Sequence, residues 1–282
     1  PEVLDCSADF GIAAPEWFGA PIPIFGIAGD QQAALIGQAC FDAGMSKSTY
    51  GTGCFVMTHT GEEISRSSPQ LLSTVAYRID GKPSYALEGS IFVAGVAIQW
   101  LRDQLGLIEH AADTAEAFAR TQGETHGVYV VPAFTGLGAP YWQPQARGLI
   151  TGLTLDSDKD HLITAFLQSV AYQTRTLLDA MAADGAPVTT LRVDGGMVVN
   201  EAFCQFLCDV LDVPVQRPAD VETTVRGAGV LAAIGAGLFA DLQEAAALWR
   251  LGADFVPTMP MAKRQALLAG YARAVAQTLT VT

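Results

Sequence analysis

Between residues 24 and 87 the chain runs through short β-type stretches, at 24–28, 48–50, 55–60, 72–79 and 84–87, parted by glycines and turn residues. After Ser90 the apolar spacing changes. Ile91, Ala94, Ile98, Leu101 and Leu105 step by three and four, the spacing of an amphipathic helix behind a Ser90 cap. Strands first, then helices alternating with strands, predict a mixed α/β domain with helices on a sheet. Asp80-Gly81, between the last two runs, is a hairpin turn signal.

Downstream, 128–131 reads as a buried strand leading into the glycine-rich loop Thr135-Gly136-Leu137-Gly138-Ala139-Pro140. A long helix follows, with Leu162, Phe166, Val170, Leu177 and Met181 on one face and the capping spacing of Ser157 and Asp160 at its start. Strands at 191–193 and 213–216, helices over Glu201–Leu211 and 224–238, and two more helical patterns complete the reading. Four prolines among the first 23 residues mark 1–20 as an irregular lead-in to a single domain over 21–282.

Of the 282 residues, 50% are hydrophobic and 16% charged, enough for a sizeable core and too few charges for wholesale disorder. A net charge of −13 argues against nucleic acid or an anionic membrane surface as the main partner. It leaves room for a phosphorylated ligand, which backbone N–H groups and Mg²⁺ neutralise locally. The longest weakly polar run, 229–240, falls short of the roughly 20 residues of a membrane helix. Cys6, Cys40, Cys54, Cys204 and Cys208 show no CxxC spacing and read as buried free thiols in a reducing, cytoplasmic compartment. The start at Pro1-Glu2, without methionine or leader, is what a piece of a longer protein would show.

The common nucleotide and hydrolase signatures are missing: no GxxxxGK loop, no complete GxGxxG, no GxSxG and no HExxH. Three places still carry chemistry. Thr49-Tyr50-Gly51-Thr52-Gly53-Cys54-Phe55 puts glycines and hydroxyls between two β runs, suited to close approach of phosphate oxygens, and reads equally as a plain hairpin. Arg192-Val193-Asp194-Gly195-Gly196 ends a strand just before a helix at Asn200, where an anion or nucleoside fits, or where Asn200 is only a cap. Gly29-Asp30-Gln31-Gln32 sets a carboxylate at a strand end; alone, Asp30 reads first as the cap of a helix over 33–39 and second as a base for a hydroxyl.

Taken together, these segments resemble the glycerol kinases of the FGGY carbohydrate kinase family. The resemblance runs in order through Gly26-Ile27-Ala28-Gly29-Asp30-Gln31-Gln32-Ala33-Ala34-Leu35, Tyr50-Gly51-Thr52-Gly53-Cys54-Phe55 and Tyr85-Ala86-Leu87-Glu88-Gly89. It continues through Ile98-Gln99-Trp100-Leu101, the 131–142 loop and Arg192-Val193-Asp194-Gly195-Gly196, covering roughly residues 21–240. The stretch 148–168 is similar to a second signature of that family, with Phe166 bulkier than its place there suggests.

The resemblance implies an actin-like, ribonuclease-H-type ATPase fold, this chain being the C-terminal half, and transfer of the ATP γ-phosphoryl to glycerol with Mg²⁺. It implies Asp30 as the catalytic base, with Asp30, Gln31 and Phe55 at the glycerol pocket. Thr52, Gly95, Gln99, Gly196 and Asn200 match nucleotide contacts; the metal ligands and the oligomeric state stay open. In such enzymes an N-terminal domain supplies the first phosphate loop and an Arg-Glu pair, so this chain alone is expected to have little or no kinase activity. Some bacterial relatives bind fructose bisphosphate through an arginine-bearing loop before this segment; Phe18-Gly19-Ala20-Pro21 has no arginine, and that feedback is not expected. Two competing readings are another FGGY kinase acting on a pentulose or erythritol, and a non-catalytic actin-like nucleotide-binding module. Trp100 and its apolar stripe are expected in the core, Tyr141 and Trp142 as braces of their loop, and His161 at a helix start without chemistry. Glu88 is expected as a buried hydrogen-bond partner, with a metal or water contact as the alternative.

Overall fold

The computed structural model describes residues 2–67 and 71–280. A small ribbon of β1 (Ile12–Ala13) and β2 (Ile22–Pro23), with α1 (Pro15–Phe18) between, precedes α2 (Asp30–Gly37). Then come β3 (Met45–Tyr50), β4 (Cys54–Gly61), β5 (Leu72–Ile79) and β6 (Lys82–Ile91). After them the chain forms α3 (Gly95–Asp103), α4 (Asp113–Thr121), β7 (Tyr129–Val131), β8 (Leu149–Thr151), α5 (Lys159–Ala183) and β9 (Thr190–Asp194). It ends with α6 (Glu201–Leu211), β10 (Val215–Pro218), α7 (Thr223–Gly235), α8 (Leu242–Ala245), β11 (Leu251–Phe255) and α9 (Met261–Thr280).

The main sheet has seven strands in the order β11-β10-β9-β3-β4-β6-β5. β9 runs parallel to β3 and to β10, and the other neighbours are antiparallel, so the expected mixed sheet is present. The β5–β6 turn is the one read from Asp80-Gly81: both residues have positive φ (51° and 72°) and Ile79 faces Lys82, the geometry of a tight primed hairpin.

Two helical layers cover the sheet. Tyr50, Leu87, Val193, Leu177 and Phe203 belong to the larger core on the α3, α5 and α6 side. Tyr50 meets Phe203 edge-on at 5.3 Å and its hydroxyl bonds Thr174 at 3.2 Å. Leu35, Ile36, Met57, Ala86, Val230 and Leu231 form a second core under α2 and α7. Each fully buried Leu, Ile, Val, Met or Phe among them contributes about 1.5–3 kcal/mol of apolar transfer. Phe166, large for its place in the resembled signature, is buried against Trp100 (5.7 Å) and Phe134, which explains its size and bears out the core reading of Trp100.

Several local expectations need correction. Residues 24–28 are not a strand, although Gly26 makes an isolated bridge to Ser7. Their amides and carbonyls are taken up by the lead-in, as in Ile27 N–H to Cys6 O (2.9 Å) and Ala8 N–H to Phe25 O (3.1 Å). Ser90 caps nothing: it and Ile91 lie in β6, the helix begins at Gly95, and Leu105 falls beyond its end and is 44% exposed. The box opening α5 is one residue later than the Ser157/Asp160 spacing: Asp158 accepts from the His161 backbone (3.1 Å), and His161 Nδ1 accepts from the Asp158 backbone (3.3 Å). Strands β8 and β11 are short, with three and five residues, and were not expected, nor was helix α4 despite its amphipathic spacing. Trp142 meets Phe92, between β6 and α3, with ring centroids 6.2 Å apart, so its contact reaches outside its own loop.

Candidate functional site

Three backbone segments meet at the end of β3, and glycine is what lets them touch. The turn Gly51-Thr52-Gly53 is stitched to the start of α3: Gly95 N–H donates to Gly51 O (2.9 Å), and the Ala94 and Val96 amides donate to Thr52 O (3.0 and 3.1 Å). A Cβ on Gly95 would lie 2.5 Å from Gly51 O. Gly195, at φ +92°, closes the third side; its Cβ would meet Tyr50 O at 2.5 Å.

Above this junction lies a cavity of about 550 Å³, walled by α3, α4, the β3–β4 turn and the 196–200 segment. All of Thr52, Gly95, Gln99, Gly196 and Asn200 line it. One 3-10 turn (Gly196–Val199) fills the stretch between the glycine pair and the helix, which covers Glu201–Leu211 as expected. Asn200 then caps α6, accepting from Phe203 N–H at 3.1 Å, while its amide donates to Thr114 of α4 at 3.3 Å. One side chain thus ties two walls together: Asn200 is the helix cap and also lines the cavity.

Asp30, Gln31 and Phe55 lie apart from that cavity, on the other face of the β3–β4 hairpin. Lys47, Thr49 and Phe55 share this face, since Thr49 and Phe55 are direct cross-strand partners. Gln31 reaches it from α2, accepting from Lys47. Asp30 is the first residue of α2 rather than its cap, because Gly29 occupies the cap position. Its exposed carboxylate accepts Gln31 N–H at 2.8 Å, at the electropositive end of the helix. Phe55, 38% exposed, supplies an apolar edge.

Beneath α2 sits a buried polar network that the sequence did not reveal. Asp194, 2% exposed, accepts from Gln38 (2.7 Å) and Thr223 (2.6 Å), binding the end of α2 and the start of α7 to β9. Trp249 donates to Gln38 Oε1 (3.0 Å), and Arg192 lies over the Trp249 ring at 3.8 Å. Lys47 is also fully buried; burial pushes its pKa down, against the attraction of Asp194, Cys54, Glu88 and Asp30. Glu88 faces the same layer as the partner of Met57; its pKa is raised by burial, an effect opposed by Lys47 and reinforced by Asp30.

This is a mixed sheet with helices on both faces and a cavity at the end of its central strands, the arrangement of an actin-like ATPase domain. Solved structures share it. Plasmodium falciparum glycerol kinase with ADP superposes with a TM-score of 0.92 at 37% identity, over 99% of this chain and 56% of that one. A xylulose kinase from Rhodospirillum rubrum gives 0.82 at 24% identity, over all of this chain and 57% of its own, a likeness of fold alone. Residues 46–236 match the FGGY family of carbohydrate kinases, C-terminal domain, and the chain belongs to that family. It is 58% identical to glycerol kinase 1 of Pseudomonas aeruginosa and to the glycerol kinase of Alcanivorax borkumensis, over 98% of its length in each case. The chain spans about half the length of these curated relatives, 56% in both.

Proposed function

We propose that this chain is the C-terminal half of a glycerol kinase, transferring the γ-phosphoryl of ATP to glycerol to give sn-glycerol 3-phosphate and ADP. The observation that carries the reading is the split of the candidate residues by the β3–β4 turn. Five line the cavity on one side, and Asp30, Gln31 and Phe55 gather on the other. The 58% identity to glycerol kinases supports glycerol over a pentulose.

In this reading the nucleotide lies in the cavity with its phosphates running over Gly51-Thr52-Gly53. The alcohol sits against Phe55, within reach of Gln31 and Asp30. The alcohol oxygen bonds to the γ-phosphorus as the bond to the β,γ-bridging oxygen breaks, and the hydroxyl proton passes to Asp30. Such a transfer depends on in-line positioning more than on a strong base, so an ordinary aspartate suffices. Mg²⁺ typically binds through one or two carboxylates plus substrate phosphates and keeps several waters. Among the described residues no cluster of three or more His, Cys, Asp or Glu forms, so Mg²⁺ would be held mainly by the substrate phosphates and would neutralise charge on them. Free thiols at all five cysteines support a reducing, cytoplasmic setting. Among the described residues no helix is long and apolar enough to cross a membrane.

The test joins the chain to an N-terminal domain of a related kinase and measures ATP-dependent phosphorylation of glycerol, erythritol and pentuloses. Glycerol is the expected preferred substrate. The isolated chain is expected to be slower by roughly 10³-fold or more, because half the positioning groups are gone. Glycerol turnover near whole-enzyme rates by the fragment would sink the two-half reading. A restored enzyme that ignores glycerol would shift the assignment to a pentulose kinase, or, if it binds ADP and phosphorylates nothing, to a nucleotide-binding module.

Asn200 allows a second check. Asn200→Ala removes the α6 cap and is expected to cost about 1 kcal/mol of stability. Asn200→Ser keeps the cap but loses the amide, so ADP affinity should fall roughly 3–10-fold with the unfolding midpoint little changed. Equal ADP affinity in wild type and both variants would remove Asn200 from the nucleotide site.

A further inference from the structure

Lys47 occupies the middle of the central strand β3 with no exposed surface. Its side chain crosses the layer under α2, where Nζ donates to Gln31 Oε1 and, at 3.2 Å, to Thr49 Oγ1. Burying an ammonium there is costly, and a hydrophobic residue of similar volume would often serve stability as well or better. Nor does Lys47 hydrogen-bond into the Gln38–Asp194–Thr223 network that clamps α2 to β9. Its hydrogen bonds go to Gln31, which lies next to Asp30 on the candidate substrate face, and to its own strand neighbour Thr49.

The consequence for Gln31 is chemical. A glutamine amide carries one acceptor oxygen and two N–H donors. With the oxygen held by an ammonium, the NH₂ group is the end left for a ligand, so this position presents donors to a hydroxyl oxygen. The charged groups around Lys47 are Asp30 from α2, Glu88 from β6 and Asp194 from β9; on this face β4 places Phe55 and Met57 beside it, and His59, one step further along, is stacked on Tyr77 at 5.8 Å. The guanidinium of the cross-strand neighbour Arg192 is turned to the Gln38 and Ala39 carbonyls.

We propose that Lys47 is a positioning residue for phosphoryl transfer: anchored on Thr49, it locks the Gln31 amide with its NH₂ toward the acceptor alcohol beside Asp30. This deepens the kinase reading above and rests on it.

The test is a double-mutant cycle in the restored two-domain enzyme, with Lys47→Met, Gln31→Leu and the pair, on whichever substrate the wild type phosphorylates. Lys47→Met is expected to raise the KM for the alcohol roughly 10-fold or more, the effect of losing a hydrogen bond to a charged group. The KM for ATP should stay within about two-fold, since the nucleotide cavity lies on the other face of the hairpin. In the Gln31→Leu background the same change is expected to add little, because the two residues act as one unit. Additive losses, or an unchanged alcohol KM in Lys47→Met, would overturn the proposal. If Lys47→Met does not fold, Thr49→Val removes the second anchor of the ammonium and should raise the alcohol KM roughly 2–5-fold with the ATP KM unchanged; no change there overturns it equally. Should the wild type phosphorylate no alcohol, the kinase reading fails by itself. A crystal structure of Lys47→Met, or of Thr49→Val, then decides the positional claim: a Gln31 amide in the wild-type orientation refutes it.

Discussion

Asn in place of Asp30 is expected to lower kcat of the restored enzyme by about 10²–10⁴-fold, the range a positioned proton acceptor contributes. Folding and ADP affinity should survive. The Asp30 carboxylate is exposed, its hydrogen bond within the fold is to the adjacent Gln31 N–H, and an asparagine oxygen accepts that bond as well. The nucleotide cavity has no wall from this residue. Steady-state rates beside ADP titration separate the two effects. A variant with kcat within ten-fold of wild type would remove Asp30 as the base, whatever else the enzyme proved to do.

The second large effect concerns stability, at the crossing of α2 and α7. Gly37 and Gly227 let the two helices touch backbone to backbone. A Cβ on Gly37 would lie 1.8 Å from Thr223 O, and one on Gly227 would lie 1.8 Å from Ala33 O. In an open helix, Gly→Ala stabilises by up to about 1 kcal/mol. At this crossing the clash is with main chain that no rotamer change relieves, and Gly227→Ala is expected to cost about 3 kcal/mol or more. For a domain of this size that lowers Tm by roughly 6–12 °C.

Gly229, two residues on in α7, supplies the control: a Cβ there meets nothing within 4 Å, so Gly229→Ala should hold or raise Tm. Equal melting of the two variants would mean that the helices do not meet as described. Because α2 carries Asp30 and Gln31, Gly227→Ala should also lower activity below its denaturation range.

The crossing shows why part of the site was hidden in the sequence. The small-residue run over 224–238 reads as a helix from its own composition, but no local signal says that Gly227, rather than Gly229, faces another backbone. Lys47 is similar. Met45-Ser46-Lys47-Ser48-Thr49 lacks an apolar alternation, so only the last part of β3 was expected as a strand, and nothing local marks its lysine as buried. Asp194 was noted as part of a strand-ending turn; its tie to Gln38 and Thr223 spans 156 and 29 residues. Residues 24–28, apolar enough to read as a strand, instead bond to the lead-in, where the sheet has no place for them.

What the sequence by itself determined is whatever short-range chemistry dictates. The Asp80-Gly81 hairpin follows from the backbone freedom of those two residues, the long α5 from its apolar spacing, and the glycine turns from the need for close backbone approach. The candidate residues could also be named in advance, through the order of their motifs along the chain. Tertiary structure alone decided which of them meet, because contacts between β3, α2 and the 196–200 segment join residues far apart in sequence. Only the pairing of Thr49 with both Phe55 and Asp194 places the candidate substrate side chains on one face of the hairpin and the cavity on the other.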